Sequence, residues 1–149
     1  MRTRLLKWSV MFVLLLPLVA HGTNDSLLAI MNAQNDTTAV IAGRRLGQKY
    51  IKIDLDTAIM YLTQSLNLAD QLDYVSGVFS AYESLGIANA SNGAYAESLS
   101  YYGKAMEVIE KENLPVVRKV GILNNMGVAH YISGNVGAAI EPYLSLIHI

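Results

Sequence analysis

The chain has no cysteine among its 149 residues. That excludes a disulfide framework, a cysteine-ligated zinc cluster and a lipid-modified cysteine. An excess of charge of either sign is also missing: eleven Lys and Arg stand against twelve Asp and Glu, a net charge of −1. The chain therefore lacks the basic footprint of a nucleic-acid binder. Only three histidines occur, His21, His130 and His148, and no two lie at metal-ligand spacing. No Ser/His/Asp or Cys/His set is present, and no glycine-rich loop leads into a helix with a phosphate-binding lysine. From these absences we expect no catalytic residues, no metal, no cofactor and no enzyme activity in this chain.

What the sequence does contain is a repeat. Within residues 79–110, Tyr82, Leu85 and Gly86 stand at i, i+3 and i+4, and Leu99, Tyr102, Ala105 and Met106 take the same steps. Each set falls on one face of an α-helix. Ser91-Asn92-Gly93 between them is a turn cluster, so the stretch reads as a helix hairpin. Gly86 lies within the first helix, where glycine costs ~1 kcal/mol against alanine. Close packing against the second helix would compensate.

The same order recurs 41 positions on, with Met126, Gly127, Gly134, Ala139 and Tyr143 matching Leu85, Gly86, Gly93, Ser98 and Tyr102. Upstream, Ala58, Leu62 and Ser65 precede Ser98, Tyr102 and Ala105 by 40, while Leu46-Gly47 precede Leu85-Gly86 by 39. The first copy is thus one residue shorter across its turn. With 52% hydrophobic residues, the chain suits one domain built as a helical solenoid.

Tyr82-x2-Leu85-Gly86-x2-Asn89 followed by Ser98-x3-Tyr102 resembles the tetratricopeptide repeat, W-x2-L-G-x2-Y…A-x3-F. The likeness spans residues 37–143. Asn89 and His130 replace the family's Tyr, Gly43 takes the first aromatic slot, and Glu110 stands where Pro is usual. The resemblance implies an all-α fold: an α-solenoid of about three antiparallel hairpins (37–72, 73–113 and an incomplete 114–143) in a right-handed superhelical stack. It also implies that a protein or peptide partner docks in a concave groove lined by the first helix of each hairpin. Groove positions by that analogy are Arg44 and Gln48, then Glu83 and Ile87, then Asn124, Val128 and Tyr131. The family's clamp for a terminal carboxylate is poorly matched by Asn125 and one or two Arg. The basic cluster Arg44, Arg45, Lys49 and Lys52 reads as a solvated helix face, and the tyrosines as core or groove lining.

The flanks carry other signals. Residues 1–22 read as a signal peptide, with Arg2, Arg4 and Lys7 before an apolar Trp8–Val19 core and Ala20-His21-Gly22 as the cleavage site. That apolar core is too short to span a ~30 Å bilayer comfortably, and the mature part is expected to be exported and periplasmic. Residues 23–36 read as a short helix opening the stack, with Asp36 as the next N-cap. Asp54 and Asp56 are expected to cap or favour the second helix of the first hairpin, Asp73 to cap the first helix of the second, and Pro115 to start the third. Pro142 is expected to kink its helix unless neighbours hold it. Residues 144–149, LSLIHI, break the pattern and resemble the translated end of a transposon-derived sequencing adapter, so we expect a non-native tail on a longer protein. The leader and repeats together resemble the periplasmic part of bacterial sensor histidine kinases or related regulators, with membrane and output segments downstream. A free-standing periplasmic adaptor is the alternative, ahead of an outer-membrane nutrient- or glycan-binding protein.

Overall fold

The computed structural model describes residues 24–33 and 35–147; the expected leader and the last two residues lie outside them. Residues 24–33 form α1, followed by α2 (Thr37–Tyr50), α3 (Leu55–Gln71), α4 (Val75–Ser91), α5 (Tyr95–Lys111), α6 (Val116–Ile132) and α7 (Val136–Ile147). No strand occurs among the described residues. α2–α3, α4–α5 and α6–α7 are antiparallel hairpins, and each packs on the next through its second helix. The fold is the all-α, solenoid-like stack that the periodicity predicts. No described helix is long and apolar enough to cross a membrane.

Local chemistry sets the boundaries. Asp36 accepts from the Thr38 and Ala39 amides at 2.8 and 3.2 Å, and Asp54 accepts from Asp56 and Thr57 at 3.1 and 3.3 Å. Both therefore cap helices. Threonine hydroxyls on the same two acids, from Thr38 and Thr57, hold the carboxyls below the ordinary aspartate value. Asp73 behaves differently from expectation. It has φ 50°, and Tyr74 flanks α4 with no side-chain cap. The Tyr74 amide reaches back to the Ala69 carbonyl at 2.8 Å, so Asp73 closes the end of α3 in the left-handed region that Asp and Asn tolerate. Asn113 repeats this at the end of α5, while Gly93 and Gly134, at φ 79° and 81°, serve the turns within hairpins. Pro115 directly precedes α6 as expected. α7 passes through a buried Pro142 and continues to Ile147, so residues 144–147 are helical.

Within each hairpin a first-helix glycine faces a second-helix side chain. A methyl group on Gly86 would stand 2.6 Å from Cδ1 of Tyr102, one on Gly127 2.6 Å from Cε1 of Tyr143, and one on Gly47 2.5 Å from Cγ of Leu62. This is the close approach that offsets a helical glycine. Small residues meet the same crossings: Ala58, Ser98 and Ala139 are all buried. Two apolar clusters result, one centred on Leu62, Leu85 and Ala88, the other on Phe79, Tyr102, Ile109 and Ile122. Each joins adjacent hairpins, so the core runs continuously from one hairpin to the next.

Candidate partner-binding face

The stack has two unlike layers. In the inner layer α2 lies along α4, and α4 meets α6; in the outer layer α3 and α5 do not touch. The side with the crowded helices is the concave one. The predicted groove residues fall on this layer in two repeat-equivalent columns, Arg44–Glu83–Asn124 and Gln48–Ile87–Val128, with Tyr131 near the end of α6.

The columns are not equally open. Ile87, Val128 and Tyr131 are exposed, Tyr131 at 64%, and Asn124 is exposed as well. Gln48 is exposed yet engaged: its side-chain amide donates to the Ser84 hydroxyl at 3.1 Å, a rung between α2 and α4. Glu83 is half-buried. Burial pushes its carboxyl above the ordinary glutamate value, and the Arg118 and Arg44 guanidiniums pull the other way. Its Oε1 lies 4.0 Å from where a Gly121 Cβ would stand, an ordinary contact distance, so α6 passes beside the acid at that point.

Arg118 was not legible as a groove residue. Its guanidinium lies 4.6 Å from the Phe79 ring centroid and donates to the Ser76 hydroxyl at 3.4 Å. It thereby ties α6 to α4 as Gln48 ties α4 to α2, and brings a second cation towards Glu83. The only advance signal was its position in the first turns of the third first helix. The resulting inner face is a half-buried acid between two arginines, continued by apolar Ile87, Val128 and Tyr131. Such a surface can hold polar backbone and apolar side chains together. Among the described residues no group of His, Asp or Glu could hold a metal ion.

Two neighbouring features add detail to the expectations. Arg45, Lys49 and Lys52 are exposed, and Lys49 Nζ also donates to Asn24 Oδ1 at 3.0 Å where α1 borders this side of α2. Tyr82 and Tyr101 are half-buried and pack against the two apolar clusters. Tyr82 and Lys104 border an outer cleft of about 550 Å³ between α3 and α5, and Lys104 Nζ lies 5.8 and 5.3 Å from the Tyr82 and Tyr101 ring centroids.

Fold and face together define the class, an all-α helical-hairpin repeat protein with a concave inner layer. No protein-family model matches the chain, and no curated protein matches it either.

Proposed function

We propose that the chain is a binding scaffold of the tetratricopeptide kind, holding a protein or peptide segment along α2, α4 and α6 and carrying out no reaction of its own. The observation that supports this best is the open apolar run Ile87, Val128 and Tyr131 beside the Arg44–Glu83–Arg118 row on the inner layer. The three glycine-to-ring or glycine-to-leucine crossings support the family reading. An extended or helical peptide fits such a face, with apolar side chains on the open run and polar groups at the charged row. The leader and the sensor-like sequence features place this scaffold, in our reading, outside the cytoplasm as the interaction or sensory module of a longer bacterial signalling protein.

The test is selection of a peptide from a random library on the purified chain, followed by affinity measurement on variants. Arg44→Ala, Asn124→Ala and Tyr131→Ala together should weaken the selected peptide by about tenfold or more, because Tyr and Arg anchors usually dominate such contacts. Thermal stability should change little, since Asn124 and Tyr131 are exposed and Arg44 is only partly covered. Equal affinity for variant and parent retires the groove.

A further inference from the structure

The outer side of the stack is hollow where the first hairpin meets the second. The cleft of about 550 Å³ between α3 and α5 has a floor of Val75, Val78 and Tyr82 from α4 and Val108 from α5, all half-buried. That volume lies in the range of small-molecule sites. Charged residues stand around the apolar floor. Lys111 and Glu112 answer each other at 3.1 Å. Of the other four, Asp70, Asp73 and Glu107 are acids and Lys104 alone is basic, which leaves an excess of two negative charges. Lys104 is turned to the Tyr82 and Tyr101 rings. The three acids are exposed and take part in no ion pair among the described residues.

The next junction shows how such an acid is answered within the chain. There α5 and α6 take the places of α3 and α4. The residue 40 beyond Asp70 is Glu110, and the residue 41 beyond Val78 is Lys119. These two form an ion pair, with Lys119 Nζ 3.8 Å from Glu110 Oε1. A lysine of the first helix thus reaches the acid of the preceding helix at the end of its aliphatic stem. In the cleft the acid is kept, but valine stands in the lysine's place and supplies neither the length nor the charge.

We infer that the outer cleft binds a small aliphatic diamine, with its hydrocarbon stem on Val75, Val78, Val108 and Tyr82 and its ammonium groups at Asp70, Asp73 and Glu107. One ammonium fills the place that Lys119 fills at the next junction, and two together match the excess of acid. Ammonium-to-carboxylate hydrogen bonds are among the stronger ones, yet exposed ion pairs contribute little singly. Selectivity for a diamine over a bare cation therefore comes from the stem, which covers apolar surface. The cleft belongs to the outer layer, so the inference does not rest on a peptide binding in the inner groove.

The test titrates cadaverine into the purified chain, with heat and amide NMR shifts as the readouts. Saturable binding is expected, with shifts confined to residues 70–82 and 104–112. Ethylenediamine has the same charge but little stem, and should bind about tenfold more weakly or worse. Val78→Lys copies the next junction: it should pair with Asp70 and weaken cadaverine about tenfold or more, with no loss of melting temperature. Asp70→Asn combined with Glu107→Gln should weaken it likewise, and serves as the second variant should Val78→Lys fold poorly. Unchanged cadaverine affinity in either folded variant overturns the inference, as does the absence of saturable binding to the parent. Equal binding of ethylenediamine or magnesium overturns it too, because the cleft would then be a general cation-attracting surface. So does tighter binding of N-acetyl-lysine methylamide, because a protein's lysine side chain would then be the occupant.

Discussion

Gly86→Ala and Gly127→Ala make the same chemical change at equivalent positions and should have opposite effects. In both, the new methyl arrives 2.6 Å from a tyrosine ring carbon, whereas unbonded carbons rest ~3.5–4.0 Å apart. The ring must therefore retreat by about 1 Å. Tyr102 is 2% exposed and packed among Phe79, Ala105 and Ile109. It cannot leave, so overpacking costs ~1–3 kcal/mol, against a helix-propensity gain of ~1 kcal/mol. Gly86→Ala should then lose roughly 1 kcal/mol net. Tyr143 is 38% exposed and can swing aside, so Gly127→Ala keeps most of its ~1 kcal/mol gain. Urea unfolding followed by far-UV circular dichroism should show the midpoint falling for Gly86→Ala and rising or holding for Gly127→Ala. Gly86→Ala combined with Tyr102→Ala should lose less than the two single losses added. If Gly86→Ala proved as stable as the parent, or both variants lost equally, the account of these crossings would be wrong.

Leu85→Ala empties a site 1% exposed within the cluster that joins the first two hairpins and should cost ~2–5 kcal/mol, read from the same urea titration. Ser65 donates its buried hydroxyl to the Val40 carbonyl at 2.7 Å. Ser65→Ala should therefore cost ~1 kcal/mol, even though Ala105 fills the equivalent place in the next hairpin. For Glu83 the sign is worked from its raised folded-state pKa: its favourable contribution is complete below the unfolded value and is lost as pH rises through the folded one. Glu83→Gln should match the parent in acid and be the more stable at pH 7, a difference that thermal melts across that range would show. Asp54 is depressed, so its contribution runs the other way, present at neutral pH and lost on acidification. Asp54→Asn should flatten that part of the acid limb.

Much of the fold was readable because it depends on short-range periodicity repeated three times. Gly47, Gly86 and Gly127 announced themselves by their spacing, and the structure places all three at crossings. Asp36, Asp54 and Pro115 act within a few residues, so local rules were enough. Asp73 misled for a related reason: an acid just before a helix suits a cap, but the competing demand of ending α3 took the residue first. The inner face was only half legible. Its columns follow from the repeat, yet the contacts that shape it cross between hairpins 36 and 42 residues apart, as with Gln48 to Ser84 and Arg118 to Ser76. No window along the chain brings those pairs together. Residues 23–36 read as a helix opening the stack, but the contacts that seat α1 on α2 were hidden likewise, because they are made by Asn24, Leu27 and Met31 rather than by any repeat signal.

The curvature that makes one layer concave can itself be traced to residue size. Towards the preceding hairpin, α4 presents Gly77, Ala81 and Ala88, all buried; Gly77 faces Ala69 of α3, and Ala88 shares a cluster with Leu62 of α3. On α6 the equivalent positions are Arg118, Ile122 and Ala129, two of them much larger, and α6 meets α4 more narrowly. The outer helices carry bulk at the corresponding junctions: Lys104 of α5 lies over the rings of Tyr101 and Tyr82, beside the outer cleft between α3 and α5. Small residues inside and aromatic residues outside bend a row of hairpins in the way a row of wedges bends. The inner face is therefore a product of the same substitutions that pack the core. A change such as Ala81 to a larger residue would act on the groove without touching a single groove side chain, because it alters the spacing of the helices that present them.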